Sequence, residues 1–325
     1  MPRYPLLADV VAARRRLAGI ALHTPLEASP QLTELTGATE VRLKLEQLQP
    51  TGSFKTRGAH NKVALLAATQ PAADLVTASS GNHGIAVATA AARYGMRATI
   101  LVGASISPAK LERLRSLESD LVTVEIHGRD TDDAEAEARR RDTAGVSVYV
   151  APYNDPDVIA GQATIGAEIL DDWPECDAIV VPIGGGGLIS GIGLWAKAIK
   201  PGLRLVGVQP AASPPMYAYF ETGSRDPMPI APTLADGVAG NIERESITWK
   251  MCRQLVDEIV LVDEDEVAAA ARWALEVPHL LLEGSAVLGI AALRALRDGL
   301  VGRRAALVLT GRNLDRETLV RILTS

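Results

Sequence analysis

Lys55 is the first residue in the sequence whose surroundings suggest chemistry. It lies in a stretch of small and turn-forming residues that predicts a helix start, Thr51-Gly52-Ser53-Phe54-Lys55-Thr56-Arg57-Gly58-Ala59. Ser53 is a residue type that caps helices, and Lys55 falls in the first turn. A helix N-terminus carries partial positive charge, so a lysine is electrostatically unfavourable there. Taken alone the stretch is more typical of an exposed lysine, but beside a bound ligand the amine could act as a nucleophile.

A run of four glycines suggests what that ligand contains. Gly184, Gly185, Gly186 and Gly187 follow an apolar strand predicted over 178–183 and precede a helix predicted over 188–199. Glycines cost backbone entropy, which is tolerable where the chain must approach a ligand closely. A strand, a glycine loop and a helix start together form an anion site. The spacing matches neither the Walker A nor the dinucleotide-binding pattern, so it indicates a phosphate but not ATP or a dinucleotide.

Two other segments end predicted strands with polar residues. Ser79-Ser80-Gly81-Asn82-His83-Gly84 follows the apolar segment 75–78 and opens an alanine-rich helix predicted over 85–94. Its amides can face an anion, although alone the segment is more typical of an ordinary turn. Thr310 follows an apolar strand predicted over 305–309. Its hydroxyl could meet a ligand at the strand's carboxyl end or cap a short closing helix.

Alternating strands and helices must position these segments. Apolar periodicity predicts the helices 7–18, 56–68, 109–116, 134–142 and 158–170, and the strands 40–46, 98–102, 122–126 and 146–150. Repeated strand-helix units predict a parallel sheet. A turn cluster at 153–156 indicates a boundary between lobes, and residues 210–232 form a proline-rich loop.

Composition excludes several classes of function. A net charge of −6 and no basic run interleaved with aromatic residues argue against nucleic-acid binding. No apolar run is long enough to cross a membrane, and the N-terminus lacks the pattern of a signal peptide. Cys176 and Cys252 have neither disulfide-framework nor zinc-site spacing. We therefore expect a cytoplasmic protein.

A lysine amine and a phosphate site together suggest pyridoxal 5'-phosphate, whose aldehyde needs the amine and whose phosphate needs the anion site. At this point the sequence, from about residue 10 to its end, resembles the serine/threonine dehydratase family. These are fold type II pyridoxal-phosphate-dependent enzymes that include serine racemases and hydroxyamino acid ammonia-lyases. The motifs that carry the resemblance are Ser53 to Ala59, Ser79 to Gly84, Gly161-Gln162-Ala163-Thr164-Ile165, Gly184 to Leu188 and Ala235-Asp236-Gly237-Val238.

The resemblance implies a two-lobed α/β fold like that of the tryptophan synthase β chain, with parallel-rich twisted sheets flanked by helices. A small mobile lobe, 74–151, would be inserted into a large cofactor-binding lobe made of 1–73 and 152–325. We also expect a homodimer.

The resemblance further implies roles for individual residues. Lys55 would hold the cofactor as a Schiff base and act as the base for the α-proton. The cofactor-binding residues would also include Phe54 beside the ring, Asn82 on its hydroxyl, Thr310 at its nitrogen, and Gly184, Gly185, Gly186, Gly187 and Leu188 around its phosphate. The substrate would meet Ser79, Ser80, Gly81, His83, Asp236 and Gly237, and in racemases the position of Ser80 supplies a proton from the opposite face.

The implied reaction is β-elimination of a β-hydroxy amino acid, which converts threonine to 2-oxobutanoate or serine to pyruvate and releases ammonia. A serine racemase, a 3-hydroxyaspartate ammonia-lyase and a dehydratase of the branch associated with ectoine catabolism would use the same residues. A catalytically silent ligand-binding protein is the alternative from a different class, and retention of Lys55 argues against it.

Two departures from the family pattern stand out. Relatives commonly have Ser-Gly-Gly-Asn where this chain has Thr310-Gly311-Arg312-Asn313, so Arg312 could recognise an acidic or unusual substrate or could turn toward Asp315. Relatives often bind a divalent metal through two acidic residues, and the matching positions here are Gln209 and Pro215. Because Mg²⁺ and Ca²⁺ depend on carboxylate ligands, we expect no metal site and no strong divalent activation, while a monovalent ion is left open.

Overall fold

The computed structural model describes residues 3–324, and within them the chain forms ten strands and fourteen α-helices. The strands are β1 (Leu26–Ala28), β2 (Glu40–Lys44), β3 (Leu75–Ala78), β4 (Ala98–Val102), β5 (Val122–Ile126), β6 (Val148–Tyr149), β7 (Ala178–Pro182), β8 (Arg204–Pro210), β9 (Glu258–Val262) and β10 (Arg304–Val308). The helices are α1 (Leu7–Leu17), α2 (Pro30–Thr36), α3 (Lys55–Thr69), α4 (Asn82–Tyr94), α5 (Pro108–Arg115), α6 (Thr131–Thr143), α7 (Pro156–Asp172), α8 (Gly187–Ile199), α9 (Pro215–Thr222), α10 (Ile247–Leu255), α11 (Glu264–Glu276), α12 (Leu288–Ala291), α13 (Leu293–Leu300) and α14 (Arg316–Thr324).

The strands form two sheets. One has the order β1-β2-β10-β7-β8-β9, and the other has the order β5-β4-β3-β6. Every pairing is parallel except that of β1 with β2. The predicted α/β class with parallel-rich sheets is therefore confirmed.

The central strands of the larger sheet are apolar on both faces because a core lies against each face. Along β7, Val180 belongs to one hydrophobic cluster, whereas Ile179 and Val181 belong to another. In β10, Leu307 and Val308 divide between the same two clusters. Successive side chains of a strand point to opposite faces, so a continuous apolar run is what a sheet covered on both sides requires.

The smaller sheet takes its strands only from the segment between Leu75 and Tyr149, and the larger sheet takes its strands from before and after that segment. This arrangement is compatible with a lobe of residues 74–151 inserted into a lobe formed by 1–73 and 152–325. The boundaries of the two lobes and the mobility of the smaller one stay predictions.

Some element boundaries differ from the sequence prediction. Helix α3 begins at Lys55 itself, and the strand predicted over 146–150 is only Val148–Tyr149. Helix α9 lies in the segment 210–232, which we interpreted as a proline-rich loop, and helix α2 lies in a segment for which we predicted no helix. In both helices a proline occupies the first turn, where its missing N–H removes no hydrogen bond and its fixed φ is already helical.

Among residues 3–324, no helix is both long enough and apolar enough to cross a membrane.

Candidate active site

A cavity of about 350 Å³ lies where several parallel strands end. The segments that follow β3, β7 and β10 all reach it, as expected of a ligand site at the carboxyl ends of a parallel sheet. Every residue that the sequence analysis assigned to the site lines this cavity: Phe54, Lys55, Ser79, Ser80, Gly81, Asn82, His83, Gly184, Gly185, Gly186, Gly187, Leu188, Asp236, Gly237 and Thr310. Their individual roles stay predictions.

Lys55 presents its amine inside this cavity. Its Nζ donates to the backbone oxygen of Pro152 at 2.7 Å and lies 5.2 Å from the centre of the Phe54 ring. Burial of the ammonium group lowers the pKa of Lys55 to about 8, against the opposing attraction of Glu283. A fraction of the amine is therefore unprotonated near neutral pH, which is the form that attacks an aldehyde or accepts a proton.

The start of α3 is held differently from our prediction. Ser53 is not the helix cap, because Phe54 occupies the N-cap position and Ser53 Oγ is buried without a hydrogen-bond partner among the described residues. Backbone contacts hold this turn instead: Ser53 forms a β-bridge with Gly311, and Phe54 N donates to Thr310 O at 3.0 Å. This pairing brings the turn before Lys55 against the segment that follows β10.

A buried ion network anchors the first turn of α3. Arg57 is 1% exposed and binds Glu46 at 2.7 Å and Glu168 at 2.5 Å, and Lys44 binds Glu168 at 2.6 Å. Removal of one member of such a network leaves uncompensated buried charge. No role for Arg57 follows from the local sequence pattern, although Arg57 stands two residues after Lys55 in the same motif.

Gly161 and Gln162 lie in α7, outside the cavity lining. They are the residues at which α7 packs against α3. A Cβ on Gly161 would lie 2.7 Å from Gly58 Cα, so only glycine permits this approach. Gln162 Oε1 accepts from Gly58 N at 3.2 Å, and Thr164 Oγ1 accepts from Arg57 Nη1 at 3.0 Å. This part of the motif positions the helix that carries Lys55.

The glycine loop fits an anion such as a phosphate. The amides of Gly184 to Leu188 donate no hydrogen bond to any of residues 3–324, and they meet at the N-terminus of α8, where the helix dipole favours negative charge. Gly186 has φ +83°, and a Cβ on Gly185 would lie 2.3 Å from Tyr153 Cγ. Tyr153 therefore packs directly on the loop, a contact that the sequence did not predict.

The Ser79 to Gly84 segment supplies a second set of free amides. Asn82, His83 and Gly84 are the first residues of α4, and within the described chain their amides have no acceptor. Burial, followed by the proximity of Lys55, lowers the pKa of His83 to about 3, so its ring is neutral. His83 Nε2 donates to Val150 O at 2.9 Å, which leaves Nδ1 as a buried acceptor without a partner in the part of the chain that the structure describes.

Glu283 is a cavity residue that the sequence analysis missed. Its two carboxylate oxygens accept from Asn82 Nδ2 at 2.8 Å and from Asn313 N at 3.1 Å, and Asn82 Oδ1 accepts from Asn313 Nδ2 at 2.5 Å. Burial, followed by repulsion from Asp236, raises the pKa of Glu283 to about 7. A lone acidic residue between an apolar run and Gly284-Ser285 was the available signal.

The segment after β10 settles one alternative from the sequence. Thr310 is 3% exposed and lines the cavity. It does not cap the closing helix, because Asp315 performs that function by accepting from Thr318 N at 2.8 Å.

Arg312 is exposed, lies outside the cavity lining and forms no ion pair with Asp315 or any other described residue. Neither interpretation of Arg312 is therefore supported.

Asp236 lies at the cavity and is paired with a cation. Its Oδ2 accepts from Lys110 Nζ at 2.6 Å, and both residues line the cavity.

Gln209 stands at the position for which the resemblance implies a metal ligand, and its side chain is bonded to the protein instead. Its Oε1 accepts from Tyr217 N at 2.8 Å, and its Nε2 donates to Ile183 O at 3.3 Å. Residues 3–324 contain no cluster of three or more His, Cys, Asp and Glu side chains that could hold a metal.

The free amides of the glycine loop and the amine of Lys55 face one cavity. These residues fit pyridoxal 5'-phosphate, since they provide an anion site for its phosphate and a nucleophile for its aldehyde.

Comparisons with known proteins agree with this chemistry. Residues 18–311 match the protein family described as "Pyridoxal-phosphate dependent enzyme". The chain is 39% identical to L-threonine ammonia-lyase of Thermotoga maritima over 98% of this chain and 78% of that protein. Its structure is similar to that of threonine deaminase isoform 2 from Solanum lycopersicum, with a TM-score of 0.89, 31% identity, and coverage of 98% of this chain and 86% of the other. It is also similar to maize serine racemase, with a TM-score of 0.90, 29% identity, and coverage of 99% and 97% respectively.

Proposed function

Because the chain belongs to the family of pyridoxal-phosphate dependent enzymes, we propose that it eliminates the β-hydroxyl group of a β-hydroxy amino acid, such as L-threonine or L-serine, and yields a 2-oxo acid and ammonia. The observation that carries the proposal is that the Lys55 amine and the free amides of Gly184 to Leu188 face the same cavity. Its cofactor is pyridoxal 5'-phosphate, which supplies an electron sink for negative charge developing at the substrate's Cα.

The residues that line the cavity fall into a cofactor-binding group and a substrate-binding group. The amides of the glycine loop would hold the phosphate, and Phe54, Asn82 and Thr310, which line the same cavity, would hold the ring. The free amides of Asn82 and His83 at the start of α4, with the nearby hydroxyls of Ser79 and Ser80, form a site for the substrate carboxylate.

Lys55 is the base of the proposed reaction. Its Nζ takes the α-proton, and its lowered pKa keeps that group available near neutral pH. The neutral His83 ring adds no positive charge that would oppose protonation of Lys55 by repulsion. The proton that Lys55 Nζ has taken balances the departing β-hydroxyl, so that one water leaves in total, near Asp236 and Gly237.

Racemisation is a second candidate, and Ser80 favours it. Its hydroxyl lines the cavity and has no hydrogen-bond partner within residues 3–324, so it is available to move a proton.

We further propose a cytoplasmic homodimer in which residues 74–151 move as the smaller lobe. The acidic composition and the lack of disulfide spacing support the location.

The test measures 2-oxo acid and ammonia release from L- and D-forms of threonine and serine, with Lys55→Ala as the inactive control. The proposal predicts equal amounts of both products from the L-substrates and none from the variant. Conversion of L-serine mainly to D-serine would replace elimination by racemisation, and activity that survives in Lys55→Ala would remove Lys55 as the base.

A further inference from the structure

The peptide unit between Ile183 and Gly184 connects strand β7 to the glycine loop. Its N–H group belongs to Gly184 and is the first free amide of the loop within residues 3–324. A trans peptide unit is planar, and its C=O and N–H bonds point in opposite directions. The position of the Ile183 oxygen therefore sets the direction of an amide that the cofactor phosphate would meet.

The side chain of Gln209 holds this oxygen. Gln209 lies near the end of β8 and is 0% exposed. Its Nε2 donates to Ile183 O at 3.3 Å, and Ile183 N donates to Val208 O at 2.8 Å. Ile183 is therefore bonded to β8 through both its N–H and its C=O. A hydrogen bond accepted by the carbonyl also polarises the peptide unit, which makes the Gly184 N–H a stronger donor.

The other end of the Gln209 side chain holds helix α9. Its Oε1 accepts from Tyr217 N at 2.8 Å, in the first turn of a helix whose N-cap residue, Pro214, provides no side-chain acceptor. This bond satisfies one of the amides that a helix start leaves without an intrahelical partner. Met216 of the same turn is 0% exposed, and its Cε lies 3.2 Å from where a Cβ on Gly186 would be. Helix α9 therefore packs on the glycine loop.

One side chain thus supports the glycine loop at two places, before Gly184 and beside Gly186. The loop needs such support, because glycines have no side chains to pack and lose much conformational freedom on ordering. Amides that are already ordered and directed at an anion bind it more tightly, since binding then adds no ordering cost. Gln209 does not line the cavity, so it acts through the loop and not by contact with a bound molecule.

Beyond the reaction proposed above, we propose that Gln209 is a positioning residue of the phosphate site. Through Ile183 and α9 it fixes the amides of the glycine loop, and it thereby sets how strongly the protein prefers pyridoxal 5'-phosphate over pyridoxal, which lacks the phosphate. A residue that only stabilises the fold would affect the binding of both compounds alike. The inference rests on the cofactor site of the proposed function and is independent of which amino acid is converted.

Competition between the two compounds measures this preference without an assay of turnover. The holoprotein is dialysed to equilibrium against mixtures of pyridoxal 5'-phosphate and pyridoxal and is then reduced with borohydride. Mass spectrometry of the peptide that contains Lys55 gives the ratio of phosphopyridoxyl to pyridoxyl label. This ratio, divided by the ratio of the free compounds, is the preference for the phosphate. Because both compounds compete for the same molecules of protein, a general loss of folded protein cancels.

Gln209→Met removes both hydrogen bonds and keeps a side chain of similar length. We expect the preference for the phosphate to fall by about tenfold or more, which is the scale of one hydrogen bond to a charged group. The matched control is Gln49→Met, because Gln49 is also 0% exposed, is bonded to Leu22 and lies outside the cavity lining. The control should keep the preference of the unmodified protein.

Gln209→Glu is a second variant of nearly the same shape. One carboxylate oxygen can still accept from Tyr217 N, but the other oxygen replaces the donor to Ile183 O and repels it. The preference for the phosphate should fall in this variant as well. Gln209→Glu therefore decides the question if Gln209→Met does not fold.

The outcomes separate this inference from the proposed function. An unchanged preference in the folded Gln209 variants, or an equal fall in Gln49→Met, would overturn the inference. Absence of label from both compounds on Lys55 of the unmodified protein would instead overturn the assignment of the cofactor site. Elimination itself is tested separately, by the release of 2-oxo acid and ammonia.

Discussion

Replacement of Glu283 by glutamine should change how stability depends on pH. The carboxyl group is 7% exposed, and burial raises its pKa from 4.5 to about 7. A carboxyl group whose pKa is higher in the folded protein binds a proton more tightly there than in the unfolded chain. Its contribution to stability is therefore complete below pH 4.5 and is lost as the pH rises through about 7.

The size of the effect follows from the two pKa values. A shift from 4.5 to about 7, linked to unfolding, contributes about 2–3 kcal/mol at about pH 5 and almost nothing at about pH 8. The side-chain amide in Glu283→Gln would remain uncharged throughout this range. One atom of that amide would face the Asn313 amide as a donor instead of an acceptor, but that cost is present at both pH values. The stability of Glu283→Gln relative to the unmodified protein should thus rise by about 2–3 kcal/mol between these pH values.

Denaturant unfolding of the holoprotein and of Glu283→Gln at both pH values measures this double difference. Glu112→Gln is the control for loss of one exposed negative charge. An infrared band of a protonated carboxyl group, present in the unmodified protein at the lower pH and missing in Glu283→Gln, would report the same proton directly. A stability difference that does not vary with pH, or that varies in the opposite direction, would refute the assignment of a raised pKa to Glu283.

Three further predictions concern the cofactor site and its support. Gly185→Asp should abolish cofactor retention, because a Cβ there would lie 2.3 Å from Tyr153 Cγ and the carboxylate would repel the phosphate; normal cofactor content after gel filtration would remove the loop from the site. Arg57→Met should lower the free energy of unfolding by about 3–5 kcal/mol, because the buried Glu46 loses its ion partner and Glu168 keeps only Lys44, whereas the exposed Arg15→Met should have little effect; equal denaturation midpoints would contradict this. Exhaustive EDTA treatment should leave ammonia release nearly unchanged, because Gln209 supplies no charge to a metal and its amide is already bonded to the protein; a large loss that magnesium restores would reveal other ligands.

The sequence predicted the parts of the site that local chemistry dictates. Apolar runs ending in Gly184, Ser79 and Thr310 indicated buried parallel strands with ligand-facing ends, and the structure brings these ends to one cavity. The prediction was weaker where backbone pairing replaced a side-chain cap. Ser53 has the right chemistry for an N-cap, but it forms a β-bridge with Gly311 and lies one residue before the N-cap position, which Phe54 occupies.

Contacts between distant parts of the chain were not predictable from local patterns. Asn82 and Glu283 are 201 residues apart, and a lone glutamate near an apolar run has no local feature that identifies its partner. The position of Tyr153 against Gly185 depends likewise on how two parallel strand-helix units pack. Arg57 was visible in the motif, but its two buried carboxylate partners come from separate segments.

Chemical trapping of the cofactor tests the central claim most directly. Borohydride reduction of the holoprotein, followed by peptide mass mapping, locates the residue that forms the imine with pyridoxal 5'-phosphate. We predict a phosphopyridoxyl group on Lys55, with loss of an absorbance band at about 410 nm, and no such label in Lys55→Ala. A label on any other lysine, or an unlabelled protein that retains bound cofactor and still releases ammonia from threonine, would contradict the account.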